Sequence, residues 1–374
     1  MRVLILYAKA GNGHYKAAEA IKEKLEETTD DTVFFEDGLE YSSKIINKLM
    51  VSGYANLTKY MPNAWGAIYS NSDTQERSTI NEIAKLAHKA LTIRLKRMLR
   101  QINPDIIIST HMSVSKICAY LKKKGKTEAK IITAMTDYAI HNMWVEDYKY
   151  YDKILMATDE MYEDCITYGI EQSKLRVTGI PTSSAFLQKY DRTETLKKHG
   201  LEDKLTCLFF AGGGQGIGKS KEYFKEILEM KGDFQLMVVA GKNEKLKEKY
   251  EKLAKASNKK VVVLGYTNEV PELMNMCDFV VSKPGGLTST ECLVMNKPLL
   301  IINPIPGQEE KNAIYLTNNG VALRTYEDEP ISHQINILIN NKFRVNQIIE
   351  MCKHIAKPNS SQEILDIIKE TSGL

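Results

Sequence analysis

Short runs rich in β-branched residues alternate with longer amphipathic stretches along almost the whole chain, and this alternation constrains the fold more than any other feature. It is typical of βαβ units, in which helices cover both faces of a parallel sheet. The runs predict six strands in the first half of the chain, at residues 3–8, 32–35, 105–109, 130–135, 153–156 and 175–180. Six more are predicted in the second half, at residues 206–211, 235–240, 261–264, 279–282, 299–302 and 321–323.

Two successive sets of strands indicate two doubly wound domains, and the length of 374 residues agrees. Since the polar segment 189–204 is the predicted hinge, we expect one Rossmann-like domain over residues 1–188 and another over residues 189–357. Residues 358–374 are predicted to form a final helix that returns to the first domain. Ligands bind at the carboxyl ends of strands in open α/β sheets, so two sheets in tandem predict a cleft with one half for each substrate.

The composition narrows the class of protein. Hydrophobic residues make up 43% of the chain and charged residues 26%, as in ordinary globular proteins, and no apolar run approaches the ~18 residues that span a bilayer. Six cysteines are scattered without a C-x-x-C pair, which is typical of buried thiols in a reducing cytoplasm rather than of disulfides or a zinc site. We therefore expect a soluble, cytoplasmic protein.

Positive charge is concentrated in residues 41–100, whose ten basic and three acidic side chains give a net charge of +7 in a chain of net charge +4. A nucleic-acid-binding protein would spread its basic charge more widely, so an anionic membrane or ligand is the expected partner. Apolar residues recur at helical spacing among these cations. The pattern fits a helix that docks on a membrane, and also an ordinary packed helix with a solvated face. The predicted docking residues are Trp65, Lys85, Lys89, Arg94, Arg97 and Arg100.

The first chemically informative loop, residues 9–14, follows the first predicted strand and precedes a helix. Gly11 and Gly13 let the backbone turn tightly beside a ligand. The loop resembles the start of a dinucleotide fingerprint, but Lys16 occupies the position of the third glycine, which disfavours NAD. His14 at a strand end is well placed for acid–base chemistry; the alternative is a polar first-turn residue that satisfies backbone groups.

A second loop, residues 136–144, follows the predicted strand 130–135. Asp137 lies just past the strand end, where its carboxylate can face the same ligand as His14. His141 and Trp144 follow at helical spacing. The alternative is that Asp137 caps a helix and Trp144 fills the core.

Five glycines within residues 212–218 come between a strand and a helix and create a cradle of backbone N–H groups suited to an anion. Residues 213–220 formally match G-x-x-x-x-G-K-S, the phosphate-binding loop of nucleoside triphosphatases. Such an enzyme needs Asp or Glu at the end of a later strand to hold magnesium. The triphosphatase interpretation is disfavoured, because the later predicted strands run into Gly241, Gly265, Lys283 and Asn303.

Two further loops of the second half carry ligand-binding groups. Gly285 and Gly286 expose backbone amides at a helix start, whose dipole favours a phosphate by ~0.3–2 kcal/mol, and Glu291 can take both hydroxyls of a ribose. After the next predicted strand come Gln308, Glu309 and Asn312. Uncharged and acidic hydrogen-bonding groups at one strand end suit a sugar better than an adenine or a flavin.

Together and in this order, these motifs resemble those of the diacylglycerol glucosyltransferases of low-GC bacteria and of plant monogalactosyldiacylglycerol synthase. They are more distantly similar to the transferase that adds N-acetylglucosamine in making lipid II. The segments that carry the resemblance are Gly11-x-Gly13-His14, Thr136-Asp137-x-x-x-His141-x-x-Trp144, Gly179-Ile180-Pro181, residues 212–218, Lys283-Pro284-Gly285-Gly286 and Pro306-Gly307-Gln308-Glu309. The resemblance covers nearly the whole chain and implies an α/β GT-B fold, with the acceptor in the first Rossmann-like domain and the sugar nucleotide in the second.

The resemblance also implies residue roles. His14 and Asp137 would lie near the acceptor hydroxyl, and Gly11, Gly13, His141 and Trp144 would be on the acceptor side. The donor diphosphate would be held by the backbone at Gly213, Gly214, Gln215, Gly285 and Gly286, the ribose by Glu291, and the hexose hydroxyls by Gln308, Glu309 and Asn312. The lipid II transferase has glutamines where this chain has Gln308-Glu309, which favours glucose or galactose over an N-acetylated sugar.

The resemblance, together with direct displacement at the anomeric carbon, implies an inverting transferase that moves glucose from UDP-glucose to 1,2-diacylglycerol, once or processively, at the inner face of the cell membrane; UDP-galactose is the alternative donor. His14 or Asp137 would take the hydroxyl proton. No two aspartates are two residues apart, so an Asp-x-Asp metal clamp is absent and no cofactor or tightly held metal is expected. The base, the hexose, the number of sugars and homo-oligomerisation stay open, and a non-catalytic UDP-sugar sensor is a remoter alternative.

Overall fold

The computed structural model describes residues 1–9, 12–40, 80–211, 219–326 and 328–373, with side chains from residue 89 onward in the third range. Among the predicted site residues, those outside this description are Gly11, Trp65, Gly213, Gly214, Gln215 and the side chain of Lys85. The chain divides into unit 1, which comprises Met1–Ser183 and Lys357–Leu374, and unit 2, Ser184–Ala356. Unit 1 thus ends five residues before the domain boundary that we place after residue 188.

Unit 1 is built on a parallel sheet whose strands are β1 (Arg2–Tyr7), β2 (Thr32–Asp37), β3 (Ile106–Ser109), β4 (Lys130–Ala134), β5 (Lys153–Met156) and β6 (Leu175–Val177). Their order in the sheet is β2-β1-β3-β4-β5-β6. The interior strands β1, β3 and β4 are almost entirely buried, which explains their continuous apolar runs. The strand order reverses between β1 and β3, so the ligand-binding switch point of this sheet lies there.

The helices of unit 1 cover both faces of this sheet, and the last helix of the chain is one of them. They are α1 (Asn12–Thr28), α2 (Ile80–Ile102), α3 (Met112–Lys123), α4 (Asn142–Val145), α5 (Asp159–Thr167) and the C-terminal helix (Ser360–Ser372). Ile364 and Ile368 of the C-terminal helix share a core with Val3 of β1. Gly179 is required where this helix approaches, because its φ is +79° and a Cβ there would lie 2.5 Å from the Cβ of Lys357.

Unit 2 repeats this architecture with β7 (Thr206–Phe210), β8 (Gln235–Val239), β9 (Val261–Leu264), β10 (Phe279–Ser282), β11 (Leu299–Ile301) and β12 (Ala322–Arg324). Its parallel order is β12-β11-β10-β7-β8-β9, with the switch point between β7 and β10. The helices are α6 (Arg192–Lys198), α7 (Ser220–Glu229), α8 (Glu244–Lys255), α9 (Val270–Met276), α10 (Gly286–Val294), α11 (Gln308–Asn318), α12 (Ile331–Asn340) and α13 (Lys342–Ile355).

The two Rossmann-like units confirm the predicted fold class, and all twelve predicted strands are present. The return of the C-terminal helix to the first unit is confirmed as well. All six cysteines lie in the described part of the chain, where they are buried and free of disulfides, as predicted. Among the described helices, none is both long and apolar enough to cross a membrane.

Candidate active site

His14 lies in the first turn of α1, directly after β1 and therefore at the switch point of unit 1. Its Nδ1 is 2.8 Å from the carbonyl oxygen of Thr110, after β3, and 2.8 Å from Oγ1 of Thr136, after β4. A carbonyl oxygen can only accept a hydrogen bond, so Nδ1 carries the hydrogen and donates it to Thr110. The lone pair of the neutral ring is therefore on Nε2.

The surroundings of His14 keep this ring neutral. Burial lowers its pKa from 6.5 to about 4, while the hydrogen bond to the carbonyl of Thr110 acts in the opposite direction. The hydroxyl of Thr110 donates in return to the carbonyl oxygen of His14 at 2.8 Å, so the two residues hold each other in place. A neutral imidazole with a defined tautomer is equipped to accept a proton at Nε2.

A second imidazole, which our sequence analysis missed, lies beside the first. His111 directly follows Thr110, and its ring centroid is 4.7 Å from that of His14 at an interplanar angle of 75°. The residue is 8% exposed, and its Nδ1 has no hydrogen-bond partner in the described part of the chain. Burial holds the pKa of His111 well below its ordinary value, and the nearby His14 lowers it further.

The other acceptor-side residues follow β4, apart from Gly13, which lies in the first turn of α1. Asp137 is buried, directly after the Thr136 that contacts His14. His141 is the N-cap of α4, and its Nδ1 accepts a hydrogen bond from the backbone N–H of Met143 at 3.2 Å. Trp144 is 2% exposed and packs in the interior of unit 1. The structure thus brings His14 and Asp137 to one edge of the sheet and gives His141 and Trp144 structural contacts.

In unit 2, Gly285 and Gly286 lie at the N-terminus of α10, directly after β10 and at the switch point. The first N–H groups of a helix have no intrahelical acceptor. The structure describes all of α10, whose first turn contains no acidic residue. A Cβ built on Gly285 would meet no atom within 4 Å, so the space beside this backbone is open. These features suit a phosphate, and Glu291 is half-buried one turn further along the helix.

The N-terminus of α11, after the neighbouring strand β11, has the opposite charge character. It begins after Gly307, whose φ of +96° only glycine adopts without strain. Gln308 is the first residue, and two glutamates follow in the first turn. Oε1 of Glu309 is 2.5 Å from Nζ of Lys283, and its Oε2 accepts from the backbone N–H of Ile305 at 3.0 Å. The carboxylate oxygens at this helix start can accept hydrogen bonds from sugar hydroxyls.

Two asparagines join the loops of unit 2 from inside. Asn312 is completely buried and donates to the carbonyl of Pro284 at 3.1 Å, so the structure places it behind the loops rather than at their surface. Asn303, with a positive φ of 46°, accepts from the backbone N–H of Lys219 and donates to the hydroxyl of Ser220. The sequence analysis assigns no individual role to Lys283 or Asn303, although each directly follows a predicted strand, and that position could have identified them.

Within the described ranges, no group of three or more His, Cys, Asp or Glu side chains is arranged to hold a metal ion.

One face of α2 carries exposed cations. This face, which we call the basic face of α2, consists of four cations and one isoleucine at helical spacing. All five are exposed: Lys89, Ile93, Lys96, Arg97 and Arg100. Arg94, which we predicted to dock on a membrane, is instead engaged within unit 1: its guanidinium donates to the carbonyls of Asp37, at 2.9 Å, and Glu40. The docking prediction therefore depends on the basic face without Arg94.

Comparisons with known proteins agree with this division into units. Residues 14–182 match the family model of monogalactosyldiacylglycerol (MGDG) synthase, and residues 191–358 match that of the glycosyl transferases group 1. A MurG from Acinetobacter baumannii superimposes with a TM-score of 0.63 at 14% identity, over 98% of this chain and 99% of that one. Anabaena Alr3699/HepE in complex with UDP-glucose has a TM-score of 0.58 at 13% identity, over 98% and 99%. Fold and family models together define a glycosyltransferase of the GT-B fold.

Relatives that match this chain over nearly its full length indicate a particular kind of glycosyltransferase. The processive diacylglycerol beta-glucosyltransferase of Bacillus licheniformis is 29% identical over 371 residues, which are 99% of this chain and 95% of that protein. The protein of the same name from Bacillus subtilis is 29% identical over 372 residues, with the same shares. The whole chain is thus similar to the diacylglycerol glucosyltransferases, and its first half to the monogalactosyldiacylglycerol synthases, as its motifs predicted.

Proposed function

We propose that the chain is an inverting glycosyltransferase that moves glucose from UDP-glucose to 1,2-diacylglycerol at a membrane surface, with UDP-galactose as the alternative donor. The names of the Bacillus relatives support the acceptor and the sugar, and the UDP-glucose in the Anabaena structure supports the donor. The observation that carries the proposal is His14, whose Nδ1–H is bound to Thr110 so that Nε2 is the proton-accepting nitrogen.

The reaction requires a base because the acceptor is a primary alcohol. As the hydroxyl oxygen of diacylglycerol forms its bond to the anomeric carbon, the bond from that carbon to the diphosphate oxygen breaks. The hydroxyl proton passes to Nε2 of His14 during this step. Attack on the face opposite to the leaving group inverts the configuration, so an α-linked donor gives a β-glycoside. Asp137, buried after β4 at the same edge of the sheet, is the second candidate for the base.

The leaving group is UDP, and the N-terminus of α10 offers hydrogen-bond donors to its diphosphate. The N–H groups of the first turn, which have no intrahelical acceptor, and the open space beside Gly285 support this role, since they would put fixed dipoles beside the negative charge that develops. Glu291, one turn along, would bind the ribose hydroxyls. We expect this arrangement to replace a metal ion, so that a chelator leaves the rate of transfer unchanged.

The hexose would bind at the start of α11. Glu309 presents a carboxylate that Lys283 and the Ile305 amide already hold in one position, and Gln308 is beside it at the first position of the helix. A fixed carboxylate accepts hydrogen bonds from hexose hydroxyls. These groups favour glucose or galactose over an N-acetylated sugar.

The acceptor is a membrane lipid, and the basic face of α2 is the surface suited to reach it. Each exposed cation contributes about 1 kcal/mol of attraction near an anionic leaflet. Ile93, 54% exposed among these cations, provides an apolar contact. We propose that this face docks on the inner leaflet of the cell membrane.

A donor comparison on vesicles tests the proposal. The purified chain is incubated with vesicles of phosphatidylglycerol and diacylglycerol and with UDP-glucose, UDP-galactose or UDP-N-acetylglucosamine, with and without EDTA. Mass spectrometry and proton NMR identify the lipid product and its anomeric configuration. We expect a β-glucosyl lipid with or without EDTA, and none from the His14→Gln variant. A product from the N-acetylated donor alone, or no glycolipid from any donor, would contradict the proposal.

A further inference from the structure

We propose that His111 is a positioning residue that acts through His14, its ring nitrogen stabilising the imidazolium that forms when His14 takes the acceptor proton. The inference rests on the proposed function, because it assigns a role in the same proton transfer. The proton moves from the hydroxyl to Nε2 of His14, and His111 neither gains nor loses one.

The contact between the two rings is the first observation. Their centroids are 4.7 Å apart and their planes meet at 75°, an edge-to-face arrangement in which the dipole of one imidazole acts directly on the other. The groups that bind Nδ1 of His14, the Thr110 carbonyl and the Thr136 hydroxyl, carry no charge. His111 is thus the titratable side chain whose ring contacts the base in the described structure.

The second observation is that helix capping does not explain why a polar ring is present at position 111. It occupies the N-cap of α3, but its side chain makes no capping hydrogen bond. Its backbone is held instead by Ser109, whose hydroxyl lies 3.4 Å from the N–H and 3.2 Å from the carbonyl oxygen of His111. Ser, Thr, Asp or Asn would cap this helix better.

The third observation is the orphaned nitrogen. His111 is 8% exposed and its Nδ1 has no partner within the described residues. A buried polar atom without a partner lowers stability and calls for a functional explanation. Burial keeps the pKa of His111 low, so this ring stays neutral beside a protonated His14 and avoids like-charge repulsion.

Two substitutions separate this role from simple packing. His111→Phe keeps a ring of similar size but removes both nitrogens, whereas His111→Asn keeps a polar atom close to the position of Nδ1. We expect His111→Phe to lower kcat about tenfold or more with an unchanged KM for the donor, and His111→Asn to restore most of the rate. His111→Phe should also unfold at the same or a higher temperature, because it removes the orphaned atom.

If His111→Phe has the same kcat as the unaltered chain, packing alone suffices and the proposal is overturned. Equal losses in both variants would overturn it too. A second readout does not depend on transfer: 15N NMR of labelled histidines follows the titration of His14. We expect it to shift to lower pH in His111→Phe than in His111→Asn; identical titrations would contradict the coupling. If no donor yields a glycolipid, the proposed function fails while this titration still tests the contact.

Discussion

The two units place their sites at the same point of similar sheets and fill them with opposite chemistry. In unit 1, an uncharged carbonyl and an uncharged hydroxyl hold a half-buried imidazole at the β1/β3 switch point. In unit 2, a helix N-terminus and a Lys283–Glu309 ion pair lie at or beside the β7/β10 switch point. The fold therefore supplies the place, and local burial and charge determine what each place can do.

This difference matches two separate tasks. Desolvation keeps His14 uncharged and able to take a proton. In the proposed function, backbone dipoles and a fixed carboxylate of unit 2 would bind a charged nucleotide and a hexose. Substitutions in unit 1 should therefore affect turnover, and substitutions in unit 2 should affect donor binding.

The largest effect is expected from His14→Gln, which removes the proton-accepting nitrogen. The loss in kcat should be about 10²–10⁴-fold, the usual contribution of a general base, and the donor KM should stay unchanged. Asp137→Asn is the matched comparison. If Asp137→Asn loses more of its kcat than His14→Gln, and His14→Gln stays active, Asp137 is the base.

Glu309→Gln should affect the donor instead. It breaks the ion pair with Lys283 and should raise the KM for UDP-glucose about 10–100-fold, since a hydrogen bond to a charged group is worth about 1.5–3 kcal/mol. The control is Glu310→Gln, one residue further, because Glu310 pairs with Arg324 at 2.6 Å and 2.9 Å. Equal increases in KM for both variants would remove Glu309 from the hexose site.

The pH dependence separates the desolvated His14 from a histidine with an ordinary pKa. Because the pKa of His14 is lowered to about 4, kcat/KM should stay level from neutral pH down to about 5 and fall below that. Stability changes over the same window: between about 6.5 and 4 the unfolded chain binds a proton at His14 that the folded chain does not, so the free energy of unfolding decreases as the pH falls. An acidic limb centred near 6.5 would show that His14 is not the titrating base.

The smallest effect concerns the membrane. Arg97→Glu with Arg100→Glu should weaken binding to phosphatidylglycerol vesicles by about fivefold for each cation lost, most strongly at low salt. Arg94→Gln is the control, because Arg94 contacts the carbonyls of Asp37 and Glu40 and should affect stability rather than binding. Unchanged binding in the double variant would place the docking surface elsewhere.

The sequence predicted the elements of the fold well, because most strands contain a short apolar run bounded by turns. It did not predict strand order, and the site depends on that order. His111 follows β3, and only the pairing of β3 with β1 brings it against His14. No spacing along the chain connects residues 14 and 111.

Side-chain direction was likewise beyond the sequence. Arg94 and Arg97 are both basic residues of α2, yet Arg94 points to the Asp37–Glu40 turn while Arg97 is exposed. Asn312 was predicted from its place one turn after Gln308, where it instead donates inward to Pro284. Helical periodicity predicts a face only when the neighbouring elements are known.

The division of labour between the units is tested most directly by the equilibrium binding of UDP-glucose in the absence of acceptor. Calorimetry on the unaltered chain, His14→Gln and Glu309→Gln should give equal dissociation constants for the first two and a clearly weaker one for the third. A donor affinity that falls in His14→Gln as much as in Glu309→Gln would contradict the account, because the base in unit 1 would then also hold the donor.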